Sequence, residues 1–249
     1  MMLMPANHSS SLLHYLAGQH PGRLGWLIGP SAVSKTKLRP WMPYALDNDA
    51  YSAWFRKREW NADAWRSMLS WAKQSGLRPR WTLVPDVVAD KDATIENWHR
   101  YAPEAKSWGW PLAFAVQDGM EPTDVPTGAD VIFVGGTAEW KWDNLLKWTR
   151  NFKRVHVGRV NELQRLWECQ AEGVESVDGT GWFRATLNGR QGRDLVTWLT
   201  DNKTAETRRK IVEAKNQMNF IFDAKQKTKK PLDPQNKLDK VIEPSNAKH

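Results

Sequence analysis

Two stretches, Leu112-Ala-Phe-Ala-Val-Gln117 and Val131-Ile-Phe-Val-Gly-Gly136, decide the fold. Each is a short apolar run that stops on polar or glycine residues, and runs of this kind recur in both directions along the chain. Toward the N-terminus lie Leu24 to Gly29, Ala45 to Asp47 and Trp81 to Asp86; toward the C-terminus lie Val155 to Arg159 and Ser176 to Asp178. Helical patterns separate most of them. Asn61 caps a helix predicted over Ala62 to Ser75, in which Trp65, Leu69 and Ala72 form a buried stripe, and Asp92 opens one over Ala93 to Trp108. Leu163, Leu166 and Trp167 share a face within Asn161 to Gly173, and Gln191 to Thr200 is a last amphipathic piece. Short buried strands alternating with helices mark βα units around a parallel sheet.

Seven such strands in 249 residues predict an α/β fold of the TIM-type (β/α)8 class, irregular at the N-terminus. The eighth unit is inferred, because only Ser9 to Gly18, a helical pattern, stands before the first run. The barrel is expected over residues 1–200, followed by a basic extension over 201–249. There Lys203 to Gln226 reads as helical, with Ile211, Met218, Ile221 and Phe222 on one face, and Lys227 to His249 as a disordered tail.

Composition narrows the partners. With 41% hydrophobic and 26% charged residues, and no window near the ~18 apolar residues of a membrane span, the chain reads as a non-membrane protein. Met1 to Ser11 has no charged segment followed by an apolar run, so a cytoplasmic location is expected. The single Cys169 excludes an internal disulfide and any multi-cysteine zinc site, and its place on a helical face reads as packing. His8, His14 and His20 have no metal-site spacing, so neither metal nor cofactor is expected. A net charge of +8 favours nucleic acid, although Arg208-Arg209-Lys210 and Lys227 to Lys230 concentrate charge in the extension. The sixteen tryptophans read mostly as core. Trp140 and Trp142, flanking Lys141, read either as a strand-gripping pair or as barrel packing.

The C-terminal ends of barrel strands build the active site. Here they carry Asp47-Asn48-Asp49, Asp86, Gln117-Asp118, Gly135-Gly136, Gly158-Arg159 and Asp178-Gly179. A lone aspartate after a strand is usually a helix cap, but a set converging on one mouth shifts its members' pKa values apart and divides them into ionised and protonated groups. His156, alone between two valines, reads as a packed sheet residue.

In chain order, Leu-Asp-Asn-Asp-Ala-Tyr (46–51), Val-Pro-Asp (84–86), Phe-Ala-Val-Gln-Asp-Gly (114–119), Phe-Val-Gly-Gly (133–136), Val-His-Val-Gly-Arg (155–159) and Ser-Val-Asp-Gly-Thr-Gly-Trp-Phe-Arg (176–184) resemble the strand-end segments of the tRNA-guanine transglycosylases and their DNA-acting relatives. The resemblance covers roughly Leu46 to Arg184. It implies Asp178 as nucleophile at the anomeric carbon and Asp47 as the second carboxylate. It further implies Tyr51 stacking on the base, and Asp86, Gln117, Gly135 and Gly136 at the base edge, with Arg159 and Arg184 contacting substrate. Asp49 stands where that family has glycine, which points away from a guanine-like base. The single cysteine cannot supply the family's zinc subdomain, which points away from tRNA and toward DNA.

Three readings follow: a DNA glycosylase removing a modified base, plausible for phage DNA; a transglycosylase that inserts a free 7-deazaguanine base; and a non-catalytic nucleic-acid-binding barrel. The sequence does not specify an oligomeric state.

Overall fold

The computed structural model describes residues 1–184, 189–201, 203, 206–214 and 217–218. Eight parallel strands form one sheet: β1 (Met2–Leu3), β2 (Trp26–Ile28), β3 (Tyr44–Leu46), β4 (Thr82–Leu83), β5 (Leu112–Val116), β6 (Val131–Val134), β7 (Val155–Val157) and β8 (Ser176–Val177). Neighbours pair in sequence order from β2 to β8, and β8 pairs with β1. Parallel bridges Leu3–Leu24 and Ala6–Leu27 join the two ends, so the sheet closes on itself. The closing hydrogen bonds run from Leu3 N–H to Arg23 O (2.9 Å), from Gly25 N–H to Leu3 O (3.0 Å) and from Asn7 N–H to Leu27 O (2.8 Å). The fold is a TIM-type barrel.

All seven strands expected from the sequence are present. The missing eighth unit is β1 followed by α1 (Ser11–Gln19). Met1 to Ala6 is too short, and too close to Pro5 and the chain end, to display a strand period. Two crossovers depart from a regular (β/α)8 pattern: β2–β3 and β5–β6 are joined by 3-10 turns at Pro30–Lys35 and Pro122–Asp124. The remaining helices are α2 (Ala50–Phe55), α3 (Ala62–Gln74), α4 (Lys91–Ser107), α5 (Ala138–Asn151), α6 (Leu163–Ala171) and α7 (Arg190–Leu199).

Local chemistry accounts for most of these boundaries. Asn61 caps α3 by accepting from Ala64 N–H, and Trp65, Met68, Leu69 and Ala72 bury at helical spacing. The cap of α4 is Asp90, accepting from Ala93 N–H, and not Asp92, which lies in the first turn, where a carboxylate also suits the helix dipole.

Alternation along the strands makes two apolar layers. Met4, Leu27, Ala45, Trp81, Ala113, Ala115, Val131 and Phe133 fill the barrel interior, while Ile28, Leu46, Phe114, Val116, Val134 and Val157 face the helices. Trp81 fills the space left by the three alanines and meets Phe133 and His156 edge-on, with ring centroids 6.1 and 4.9 Å away. The cavity above is therefore closed at its base.

Residues 1–209 form one compact unit and residues 210–249 a second. Within the first, Arg208 pairs with Asp201 and Arg209 donates to Ala171 O, which carries the unit past residue 200. In the second, residues 210–214 and 217–218 are helical; Ile221, Phe222 and the tail from Lys227 to His249 lie outside the described residues. Among the described residues no helix is long and apolar enough to cross a membrane.

Candidate active site

A cavity of about 860 Å3 opens at the C-terminal ends of the strands, within the roughly 300–1,000 Å3 typical of ligand pockets. All ten residues singled out from the sequence line it: Asp47, Asp49, Tyr51, Asp86, Gln117, Gly135, Gly136, Arg159, Asp178 and Arg184. The barrel register brings them together, because they follow the six strands β3 to β8 and every strand ends at the same rim.

Asp178 follows β8 directly and is almost wholly buried. Its Oδ2 lies 3.2 Å from His156 Nε2, and the opposite ring nitrogen, Nδ1, lies 2.8 Å from Ser176 Oγ. The tautomer that carries its proton on Nε2 donates to the Asp178 carboxylate and leaves Nδ1 to accept the Ser176 hydroxyl. Phe133 and Trp81 fix the ring plane from within the barrel. His156 is thus a packed residue, as its sequence context suggested, and also the orienting partner of Asp178. That second role was hidden because β7 and β8 must be in register for His156 to meet Ser176 and Asp178.

The loop after Asp178 is clamped. Val160 N–H donates to Asp178 O (2.6 Å), Trp182 Nε1 donates to Val160 O (2.7 Å), and Gly181 N–H donates to Asn161 Oδ1 (2.9 Å). A side chain at Gly179 would place Cβ 2.2 Å from Val160 O, so the Asp-Gly step is a steric requirement. The same turn carries Arg184 to the rim, where it is exposed.

Asp47 follows β3 and accepts from Asn48 N–H (2.8 Å). Burial, reinforced by the charges of Asp49 and Asp178, pushes its carboxyl well above the ordinary carboxylate range. Burial also raises Asp86, and hydrogen bonds from Asn48 and Gln117 oppose that rise. Asn48 is a residue the sequence reading passed over. Its Nδ2 donates to Asp86 Oδ1 (2.7 Å) and to Val84 O (3.1 Å), and its Oδ1 accepts Ala50 N–H (2.8 Å). Gln117 donates from Nε2 to Asp86 Oδ2 (2.7 Å) and accepts at Oε1 from Gly136 and Ala89 N–H, both at 3.0 Å. Asp86, Asn48 and Gln117 form one fixed polar wall, and a Cβ on Gly135 would crowd Gln117 Nε2 at 3.2 Å.

Asp49 takes the left-handed conformation, and both of its oxygens are occupied at the rim. Oδ1 accepts from Asn7 Nδ2 and Oδ2 from Ser31 N–H, each at 2.8 Å. It braces the loops of β1 and β2 against β3. Arg159 is also left-handed, and it donates to Gly136 O while its guanidinium lies 4.4 Å from the centre of the Tyr51 ring. With Asn7, three of the five non-glycine residues of positive φ among those described line this cavity. Such conformations cost about 1–3 kcal/mol each and cluster where function needs them.

Lys141, on the first turn of α5, has no role of its own in the sequence beyond its place between Trp140 and Trp142. It is 2% exposed, lines the cavity, and donates from Nζ to Gly158 O. Burial and the nearby Arg159 lower its pKa to about 8, against the opposing pull of Asp178. Trp140 packs on the core near Trp148, while Trp142 lines the cavity between Lys141 and Arg165, whose charged groups lie 5.0 and 4.4 Å from its ring. Asp118, by contrast, serves α5, taking Thr137 N–H (2.7 Å) and its hydroxyl (2.5 Å).

No family model and no curated protein matches this sequence. Among solved structures it is similar to a chain of the tryptophan synthase a2b2 complex of the hyperthermophile Pyrococcus furiosus, at 14% identity and a TM-score of 0.48, over 78% of this chain and 93% of that one. It is also similar to 3-hexulose-6-phosphate synthase from Salmonella typhimurium, at 14% identity and a TM-score of 0.47, over 80% and 98% of the two chains. Identity at this level speaks to the fold alone and says nothing of the chemistry.

Proposed function

We propose that this protein cleaves the N-glycosidic bond of a nucleobase in DNA, with Asp178 as nucleophile and Asp47 as the acid that protonates the departing base. One observation carries the reading: two carboxyl groups from β8 and β3 face one cavity in different surroundings. Asp178 is oriented by a buried histidine, and Asp47 is held toward its protonated form. Glycoside chemistry that proceeds through a covalent intermediate needs that division.

In this reading the base departs with the Asp47 proton as the sugar's anomeric carbon bonds to an Asp178 oxygen. The Asp47 carboxylate then takes a proton from water, whose oxygen displaces Asp178. The products are free base and an abasic deoxyribose. The Asn48–Asp86–Gln117 wall and the Gly135–Gly136 backbone supply fixed donors and acceptors for the edge of an extruded base. The approach to the mouth suits a nucleic-acid strand. Tyr51, Trp54 and Phe55 are exposed on α2 by 41, 54 and 71%, and Arg56-Lys57-Arg58 follow them, all exposed. Aromatic faces beside cations hold bases and phosphates together.

Base exchange is the second reading. The same polar wall favours it, because a site that binds a base edge well can admit a free 7-deazaguanine to displace Asp178 in place of water. Incubation with unmodified and phage-modified DNA, reading released base and alkali-labile sites, separates the two. Hydrolysis releases base with nothing added, and exchange releases it only when 7-deazaguanine is supplied. Activity on tRNA with none on any DNA would overturn both.

A further inference from the structure

The mechanism above leaves one buried ionisable group of the mouth without a task, Lys141. Its ammonium group is held by Gly158 O and the Trp142 ring, and no carboxylate among the described residues lies within ion-pairing distance of it. A lysine needed only for charge balance would face one, whereas a buried lysine outside any ion pair is prepared to be a neutral amine. Its position relative to Asp178 is specific. Nζ bonds the carbonyl of Gly158, and a Cβ on that same glycine would lie 3.4 Å from Asp178 Oδ2. Amine and carboxylate flank the same glycine and line the same cavity, so a sugar released from Asp178 remains in the space that Lys141 faces. The Phe133 ring packs against the same point of Gly158, with carbons 2.9 and 3.2 Å from it, and so walls this side of the mouth.

From this placement we infer a second activity: Lys141 condenses with the ring-opened aldehyde of the abasic deoxyribose and cuts the DNA strand by β-elimination. The amine adds to C1′, and the carbinolamine loses water to give a protonated imine. A carboxylate of the mouth, Asp178 or deprotonated Asp47, removes a proton from C2′. The electron pair forms the C2′–C3′ double bond, and the 3′ phosphate leaves with the C3′–O bond electrons. Water then hydrolyses the imine, which frees Lys141 and leaves an unsaturated aldehyde on the strand end. No oxidant, reductant or cofactor enters. The lowered pKa, about 8, supplies neutral amine near neutral pH.

The inference rests on the DNA reading above, but its test bypasses base removal. The full-length protein is given DNA in which abasic sites have already been made from uracil, with and without sodium borohydride, which reduces an imine to a stable amine. Strand scission without borohydride is expected, with a protein–DNA adduct in its presence, and peptide mapping of the wild-type adduct should place it on Lys141. Lys141→Met, checked by circular dichroism, should lose at least 100-fold in both scission and trapping. An adduct mapped to another amine, or no adduct and no scission by the wild type, would overturn the inference. Base release from the modified DNA is scored separately, so that failure of either activity is distinguishable from failure of the other.

Discussion

The two ends of the barrel treat half-buried carboxylates in opposite ways. At the floor, Glu175 accepts from Arg154 Nε at 2.7 Å and Arg80 Nη2 at 2.6 Å. Burial alone would raise its pKa, but the hydrogen bonds and charges of the two arginines prevail and bring it down to about 2. At the mouth, Asp47 and Asp86 are half-buried among other carboxylates and neutral donors, and both are raised. The floor carboxylate is matched to cations that hold β4, β7 and β8 in place. The mouth carboxylates are left with a cost that packing has not removed, which is the condition of groups kept for chemistry.

Exchanging Asp47 for asparagine tests the contrast hardest. Base release by Asp47→Asn should fall by about 10²–10⁴-fold, the usual worth of a positioned acid–base group. Its stability should move the other way. A carboxyl whose folded pKa is raised contributes stability while protonated, and that contribution is lost as pH rises from the ordinary carboxylate range through the folded value. At neutral pH the variant escapes the loss, so its Tm should exceed the wild type's by about 2–4 °C for each kcal/mol relieved. A Tm lower at pH 7 would break the comparison.

Glu175→Gln should behave inversely: about 1–3 kcal/mol less stable at neutral pH, because two arginines lose their anion, with base release unchanged at a temperature where the protein stays folded. The sign with pH reverses too. A depressed folded pKa contributes stability above the ordinary carboxylate value, so wild-type stability should drop as pH falls toward about 2, and the variant's should drop less. Thermal melts across pH 2–7 check both statements. The smallest effect is expected at the rim. Tyr51→Ala removes a ring already stacked on Arg159, and the lost base stacking should raise KM about five- to tenfold, with kcat within twofold.

The outline of this comparison was legible in the sequence in uneven measure. Strands β2 to β8 stood out because a strand buried on both faces is apolar throughout, and their polar last residues marked the mouth. β1 was not legible, because Met2 and Leu3 are a strand only by virtue of hydrogen bonds with Glu175, Arg23 and Gly25, far along the chain. The same limit applies within the site. Asp178 and Asp47 could be picked out by their place after apolar runs, but Asn48 could not, since its three hydrogen bonds reach Ala50, Val84 and Asp86 across two strands. The segment Trp140-Lys141-Trp142 read equally as a gripping pair or as barrel packing, and only the turn of α5 shows that the Lys141 side chain lines the barrel mouth. Local pattern reveals elements and their ends, while burial and partners are products of register and closure.

The central claim is that Asp178 forms the bond to the sugar. The most direct measurement compares base release by Asp178→Asn and wild type on the same DNA, with circular dichroism showing that both are folded. A loss on the order of 10⁴-fold or more is expected, as when a nucleophile is removed. A variant that folds and releases base within tenfold of the wild-type rate would contradict it.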